Sequence, residues 1–417
     1  MSRDSIDRTS ISRADTGRVG VHTSGNDPKG SAGPGVRRGK DPKGSAEPGV
    51  RRDSGIPHDA KSVQLKQTPS PLSVGAVAHG KVNLHLGVSD LRDDGYHDLT
   101  TVFQSVALQE KVRLTEVASE EEATVTVTGH DAHLVPTDPS NLAVRAVEAV
   151  RSLVKARMKE GSCGDNSPGE IDRSELASHK MTEQDVPWVA IHIEKGVPVA
   201  GGMAGGSADA AAALVAAVEF YCERHPRTSH VPTPTMEEQY GIAASLGADV
   251  PFCVLGGTAL GLGRGDELVT VMAHGTFHWA LATDKRGLST PKVFAQLDKQ
   301  RAAAASGERP DIRAGSTDAL MRALVSGDAE QLAPTLVNDL QAPAISLMPT
   351  LRETLRAAKE AGALAAIVSG SGPTIAMLCR DADHALDVAT AVSVAGKASA
   401  TITASSPAGP ARILEED

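Results

Sequence analysis

Aromatic residues are scarce in this chain: two Trp, three Tyr and five Phe in 417 residues. The first is Tyr96 and the last is Phe294, so both ends have none. Ala, Val and Leu can fill a core without them, and each aromatic that is present therefore stands out. Cysteine is scarce too. Cys163, Cys222, Cys253 and Cys379 lie far apart with no C-x-x-C pair, which excludes a zinc knuckle or a dithiol redox motif and leaves free thiols in a reducing compartment. Long apolar runs are missing. The longest, such as Ala210–Val218, fall short of the ~20 residues of a membrane span, so no membrane partner is expected. The N-terminus has no apolar signal region, and Asp4, Asp7 and Asp15 argue against a transit peptide. A cytoplasmic protein is expected.

Charge is unevenly spread. Residues 1–72 carry 13 Lys/Arg and 8 Asp/Glu, net +5, whereas the whole chain is at −10 and the remainder at −15. An acidic body does not suggest a nucleic-acid partner. The basic stretch contains a direct repeat, Asp27–Arg38 recurring as Asp41–Arg52 with a period of 14 residues. Two Gly/Pro-rich copies have too little apolar surface to offset the entropy of ordering, so residues 1–72 are expected to be disordered.

Order is expected from Val74. Val82, Leu84, Leu86 and Val88 alternate with strand period, and Asp93-Asp94-Gly95 signals a turn. Asn141 is a candidate N-cap for a helix with apolar positions at Leu142, Val147, Val150 and Val154. The polar stretch at about 159–185 reads as an inserted surface loop. A strand at 188–193, an Ala-rich helix to about Glu223 and a helix over Met236–Leu246 follow. Then come alternating strands and helices to Thr403, a pattern of α+β layers.

Four segments carry chemistry. Pro198-Val199-Ala200-Gly201-Gly202-Met203-Ala204-Gly205-Gly206-Ser207-Ala208 joins a strand to the Ala-rich helix. Its glycines let a ligand approach the backbone, and the free N–H groups of the helix start form an anion site. It is neither a Walker loop nor a dinucleotide fingerprint. A plain Gly-rich connection is the alternative. Asp249, set among small and apolar residues in Leu246-Gly-Ala-Asp-Val-Pro-Phe252, is a candidate for a partly buried carboxylate that accepts a hydroxyl proton; a helix cap is its commoner use. Lys81 enters an apolar strand after Gly80 and is positioned to hold a carboxylate and a phosphate, or else to snorkel to the surface. Val368-Ser-Gly-Ser-Gly-Pro-Thr-Ile375 is a small-residue loop between strands, suited to an anion or simply a tight turn.

Together these segments resemble the GHMP kinase family, whose three motifs appear in order at Lys81–Leu86, Pro198–Ala208 and Ser369–Thr374. Arg92-Asp-Asp-Gly-Tyr-His97, Thr101-Val-Phe-Gln104 and Ser289-Thr-Pro-Lys-Val-Phe294 resemble the branch that phosphorylates a cytidine-diphosphate-linked methylerythritol. The likeness spans about residues 74–405. It departs at His79-Gly80, where Pro-Ala is usual, at Ala204, where Gly is usual, and at Ala208, where a second Ser would offer a phosphate contact.

The resemblance implies a two-domain α+β fold. A ribosomal S5 domain 2-like ATP-binding domain would span 73–275 and a ferredoxin-like domain 276–417. It implies ATP-dependent phosphorylation of an alcohol, with Asp249 as base and Lys81 paired to it, stabilising charge on the transferring phosphoryl group. The loop from Pro198 to Ala208 would cradle ATP phosphates, with Mg²⁺ arriving on ATP and its protein ligands unknown. Tyr96 and Phe294 would sandwich a cytosine, His97 would bond the base edge, and Asn83 and Thr290 would line the rest of the acceptor. The partner is then a small molecule, and the protein a monomer or homodimer. Another small-molecule kinase of the family, such as one acting on homoserine, or a non-catalytic binding protein of the same fold remain the alternatives.

Overall fold

A computed structural model describes residues 70–162, 186–199, 201–308, 310, 311 and 313–415. The repeat-bearing segment, most of the expected insertion and Ala200 lie outside the described residues. In chain order the strands are β1 (Ser73–Leu91), β2 (His97–Val117), β3 (Val125–Gly129), β4 (Trp188–Lys195), β5 (Thr258–Leu262), β6 (Glu267–Thr270), β7 (Phe277–Thr283), β8 (Val337–Asn338), β9 (Ala365–Val368), β10 (Ile375–Cys379), β11 (Ala400–Ser406) and β12 (Arg412–Ile413). The α-helices are α1 (Leu142–Ser162), α2 (Gly205–Val218), α3 (Met236–Leu246), α4 (Val250–Leu255), α5 (Thr290–Ala305), α6 (Asp318–Ser326), α7 (Ala329–Leu332), α8 (Gln341–Leu347), α9 (Thr350–Glu360) and α10 (Ala382–Val394). None is long and apolar enough to cross a membrane among the described residues.

Two sheets result. The first has eight strands built on the path β12-β1-β2-β4-β3, with β5 and β6 hung from β2 and β8 beside β1. The second runs β11-β7-β10-β9, antiparallel throughout. Its chain order is strand, helices, two hairpin-linked strands, helix, strand, which is the split ferredoxin-like arrangement.

Strand β1 is the spine. Val74, Ala76 and Ala78 belong to the core under the first sheet, with α1 and α2. Val82 and Leu84 join a second core with Trp279 and Leu281. Leu86 and Val88 join a third with α5, α8 and α10. The β1–β2 register shifts between His79 and Lys81 and again between Asn83 and His85. Such irregularities re-aim side chains, and here they bracket Lys81 and Asn83. Both faces of this stretch are buried. The polar residues that alternate with Val82 and Leu84 here, His79, Lys81, Asn83 and His85, are therefore buried as well.

Asn141 caps α1 as expected: the Ala143 N–H donates to its Oδ1 at 2.8 Å. The helix continues through Lys159 to Ser162, so the polar stretch begins as helix rather than loop. Its first residues include Lys159 and Glu160, good helix formers, and its first proline is Pro168. Helix α2 starts at Gly205, earlier than expected, and passes into a π-helical turn over Glu219–Arg224. Its Ala208 and Ala210–Ala213 are fully buried, the signature of a helix apolar all round and packed on all sides.

Candidate active site

The end of β4, the Gly-rich loop, the start of α2, the middle of β1 and the β9–β10 loop converge. The Lys81 backbone N–H donates to the Met203 carbonyl at 3.0 Å. A Cβ on Gly80 would stand 3.0 Å from Val197 and 3.3 Å from the Met203 oxygen, so the departure to glycine at this position matches the closeness of strand and loop. The Thr374 N–H donates to the Gly201 carbonyl, and the Ser369 hydroxyl to the Gly202 carbonyl, both at 3.2 Å. Gly202 has φ +75°, and a Cβ there would lie 2.3 Å from the Ser369 oxygen. No other residue fits.

Lys81 is 4% exposed and reaches the Asp249 carboxylate at 3.6 Å. Its Nζ donates to Asn83 Oδ1 at 2.7 Å and lies 5.3 Å from the centre of the Phe103 ring. Asn83 in turn donates to the Thr101 hydroxyl at 2.9 Å, and Thr101 to the His85 carbonyl at 2.8 Å. Asn83 therefore fixes the ammonium group. Asp249 stands at the N-cap of α4 yet makes no capping bond with its side chain, which is about a third exposed. Asp249 thus occupies the cap position that the alternative reading gave it, but its carboxylate is left free of the helix and lines a cavity.

That cavity measures about 620 Å³. Tyr96, His97 and Phe294 line it together with Ser207 and Asp249, and Thr290 and Arg264 are also in the wall. A smaller space of about 160 Å³ adjoins it, lined by Lys81, Asn83, Gly202, Ala204 and Ser371, and shares Asp249, Arg264, Thr290 and Phe294 with the first. Thr290 binds the Ser371 hydroxyl at 2.8 Å and so ties α5 to the β9–β10 loop. Tyr96 is the one aromatic of the ten that is exposed, at 58%. Phe294 is half-buried and stacks on His97 at 5.4 Å. His97 is tied on both ring nitrogens, Nδ1 to the Ser89 carbonyl at 2.9 Å and Nε2 to Asp298 at 3.3 Å. The imidazole thus backs Phe294, and its two nitrogens already have protein partners. Asp298 lines the same cavity.

The Gly-rich loop divides its residues between ligand side and core. Gly206 is exposed with open space where a Cβ would be, and Gly202, Ala204 and Ser207 are half-buried. Val199 is half-buried, while Pro198, Gly201 and Gly205 are buried. Met203 and Ala208 turn their side chains wholly into the core. The expected loss of a phosphate contact at Ala208 is corrected by this placement, because a serine hydroxyl there would face apolar packing. The first N–H groups of α2 have no intrahelical acceptor; with the open space at Gly206 they fit an anionic ligand. The Asp249 carboxylate and Ser207 hydroxyl are hard oxygen donors of the kind Mg²⁺ prefers. Among the described residues no cluster of three His, Cys, Asp or Glu side chains would hold a metal alone.

Ala204 has φ 60° and ψ 31°, the left-handed region, at the N-cap of α2. A non-glycine residue there costs about 1–2 kcal/mol, partly offset by the greater unfolded-state freedom of glycine. Ala204→Gly is expected to stabilise the fold by about 0.5–1 kcal/mol in urea denaturation. A lower midpoint for the variant would contradict the strain assigned to Ala204.

Beneath the loop lies a buried charged triad that sequence reading did not single out. Lys195 donates to Glu110 Oε1 at 2.7 Å and to Asp209 Oδ2 at 2.6 Å, with all three side chains at most 4% exposed. Glu110 also accepts the Gly196 and Val197 N–H groups at 3.1 and 3.3 Å, at the start of the loop. Burial, then the neighbouring Asp209 charge, pushes Glu110 up to about 8. Burial raises Asp209 as well. The visible signal was an Asp inside an alanine run and a Lys ending an alternating strand.

Two family models match this chain: GHMP kinases N terminal domain over residues 174–257 and GHMP kinases C terminal over 320–398. With the two sheets and the convergent loops they define a GHMP-type kinase. A 4-diphosphocytidyl-2-C-methyl-D-erythritol kinase of Corynebacterium jeikeium (strain K411) is 52% identical over 375 residues, covering 84% of this chain and 96% of its own length. One of Nocardia farcinica (strain IFM 10152) is 48% identical, covering 85% and 99%. A crystal structure of 4-(cytidine 5'-diphospho)-2C-methyl-D-erythritol kinase superposes with TM-score 0.56 at 27% identity, covering 80% of this chain and all of that one. The chain belongs to the 4-diphosphocytidyl-2-C-methyl-D-erythritol kinase family.

Proposed function

We propose that the protein transfers the γ-phosphoryl group of ATP to the 2-hydroxyl of 4-(cytidine 5'-diphospho)-2-C-methyl-D-erythritol, a cytoplasmic step of the non-mevalonate isoprenoid route. The observation that carries this reading is one cavity lined by both Tyr96–Phe294 and Ser207–Asp249. A homoserine-sized acceptor leaves the aromatic end without a use.

Asp249 orients the acceptor hydroxyl and takes its proton. Lys81, held by Asn83, stabilises the charge that develops on the phosphoryl oxygens. Phosphoryl transfer depends mainly on positioning and electrostatics, which this arrangement supplies. ATP enters as its Mg²⁺ complex, the metal neutralising phosphate charge. The α2 N-terminus, Gly206 and Ser207 receive the phosphates. Tyr96 and Phe294 form the walls of the cytosine slot, and stacking on each is worth roughly 1–3 kcal/mol. His97 fixes the angle of Phe294 rather than bonding the base edge, since Ser89 and Asp298 occupy its two nitrogens, and Asp298 supplies the polar edge of the slot.

The test is ADP release by purified protein given MgATP and, in turn, the cytidine acceptor, homoserine and mevalonate. Turnover with the cytidine acceptor alone is expected. Turnover with homoserine and none with the cytidine acceptor would overturn the reading.

A further inference from the structure

Arg264 sits in the tight connection between β5 and β6, where the Gly265 N–H closes a turn on the Leu262 carbonyl at 2.8 Å. The Leu99 N–H donates to the Gly263 carbonyl at 2.7 Å and ties this turn to β2. The side chain lines both cavities, the larger one with Tyr96 and Phe294 and the smaller one with Lys81 and Asn83. Its guanidinium lies 5.4 Å from the centre of the Tyr96 ring, within cation–π range. Lys81 and Arg264 are the only permanent cations among the described residues lining either space. Lys81 is engaged by Asp249 and Asn83. Arg264 has no carboxylate within ion-pair distance among the described residues, whereas Arg92, Arg301 and Arg313 each have one.

We propose that Arg264 is a specificity-determining residue that binds the diphosphate bridge of the acceptor. The inference rests on the function proposed above. A cytosine between Tyr96 and Phe294 and a hydroxyl at Asp249 leave the two linking phosphates between them, beside Arg264 in the shared wall. The planar guanidinium offers paired N–H donors that match phosphate oxygens. Its seat over Tyr96 orients that fork before the ligand arrives. The same residue would separate acceptors that carry a diphosphate from those that do not.

The experiment measures competitive inhibition by cytidine and by cytidine 5'-diphosphate against the acceptor, in wild type, Arg264→Met and Arg264→Lys. In Arg264→Met the diphosphate is expected to bind about ten- to hundredfold more weakly, the loss of a charge-assisted contact, while cytidine shifts less than about twofold. Arg264→Lys should recover part of the loss, and the KM for ATP should not move. Equal losses for both inhibitors would reduce Arg264 to a wall of the base slot and overturn the proposal. A fall in kcat with unchanged inhibition by the diphosphate would also overturn it, by assigning the guanidinium to the transferring group. Wild-type turnover of the acceptor is measured alongside. Its absence counts against the proposed function, whereas an unchanged ratio of the two inhibition constants in Arg264→Met counts against Arg264 alone.

Discussion

Asp249→Asn is expected to lower kcat by two to four orders of magnitude, the range of a positioned proton acceptor, with the KM for ATP little changed. The substitution keeps size and removes only the negative charge. Asp249 lines both spaces, is the carboxylate paired with Lys81, and spends no hydrogen bond on capping α4. The fold therefore has little to lose, and thermal stability should stay near that of the wild type. Lys81 keeps its contact with Asn83 at 2.7 Å, so the loss cannot be assigned to a displaced lysine. Steady-state ADP release with saturating acceptor, beside a melting curve, separates the two effects. A variant within threefold of the wild-type rate would remove Asp249 from the proton step.

Lys195→Met is expected to destabilise the protein by about 3–5 kcal/mol in urea denaturation, because it leaves Glu110 and Asp209 buried without their shared cation. Replacing all three, as Lys195→Met with Glu110→Gln and Asp209→Asn, should recover most of this, since no charge then remains in that cluster. A loss below about 1 kcal/mol for Lys195→Met would contradict the triad's role. The same cluster sets a pH dependence. Glu110 binds its proton more tightly folded, up to about 8, than at the ordinary 4.5. The stability carried by that proton is complete below the ordinary value and is lost as pH rises towards 8, at up to about 1.4 kcal/mol per pH unit. Wild-type stability should decline between about pH 5 and 8 and level off above it, and Glu110→Gln should flatten the decline. The Gly196 and Val197 N–H groups rest on Glu110, so the cluster also holds the approach to the Gly-rich loop.

Much of this was legible in the sequence. Local signals worked where one element decides: Asn141 as a cap, the α3 boundaries, and the Gly-rich junction before α2. The convergence of Lys81, Asp249 and the β9–β10 loop came from family resemblance, because contacts between distant segments leave no mark on periodicity. Neighbouring residues gave the least. Tyr96 and His97 are adjacent, yet Tyr96 is exposed at the cavity and His97 is buried behind Phe294, since successive side chains at a strand start point opposite ways. Ala208 read as part of an anion loop, but the turn of α2 aims its Cβ at the core. The Lys195 triad joins three segments separated by up to about a hundred residues, and Arg264 sits in a Gly-Arg-Gly turn between two short strands, with no local mark of the cavity it lines.

The most direct measurement is a crystal structure of the protein with 4-(cytidine 5'-diphospho)-2-C-methyl-D-erythritol and a non-hydrolysable ATP analogue. The expected result is a cytosine ring between Tyr96 and Phe294 with the acceptor's 2-hydroxyl at about 2.6–3.2 Å from Asp249. A base bound away from those two rings, or a hydroxyl out of reach of Asp249 while both ligands are in place, would contradict it.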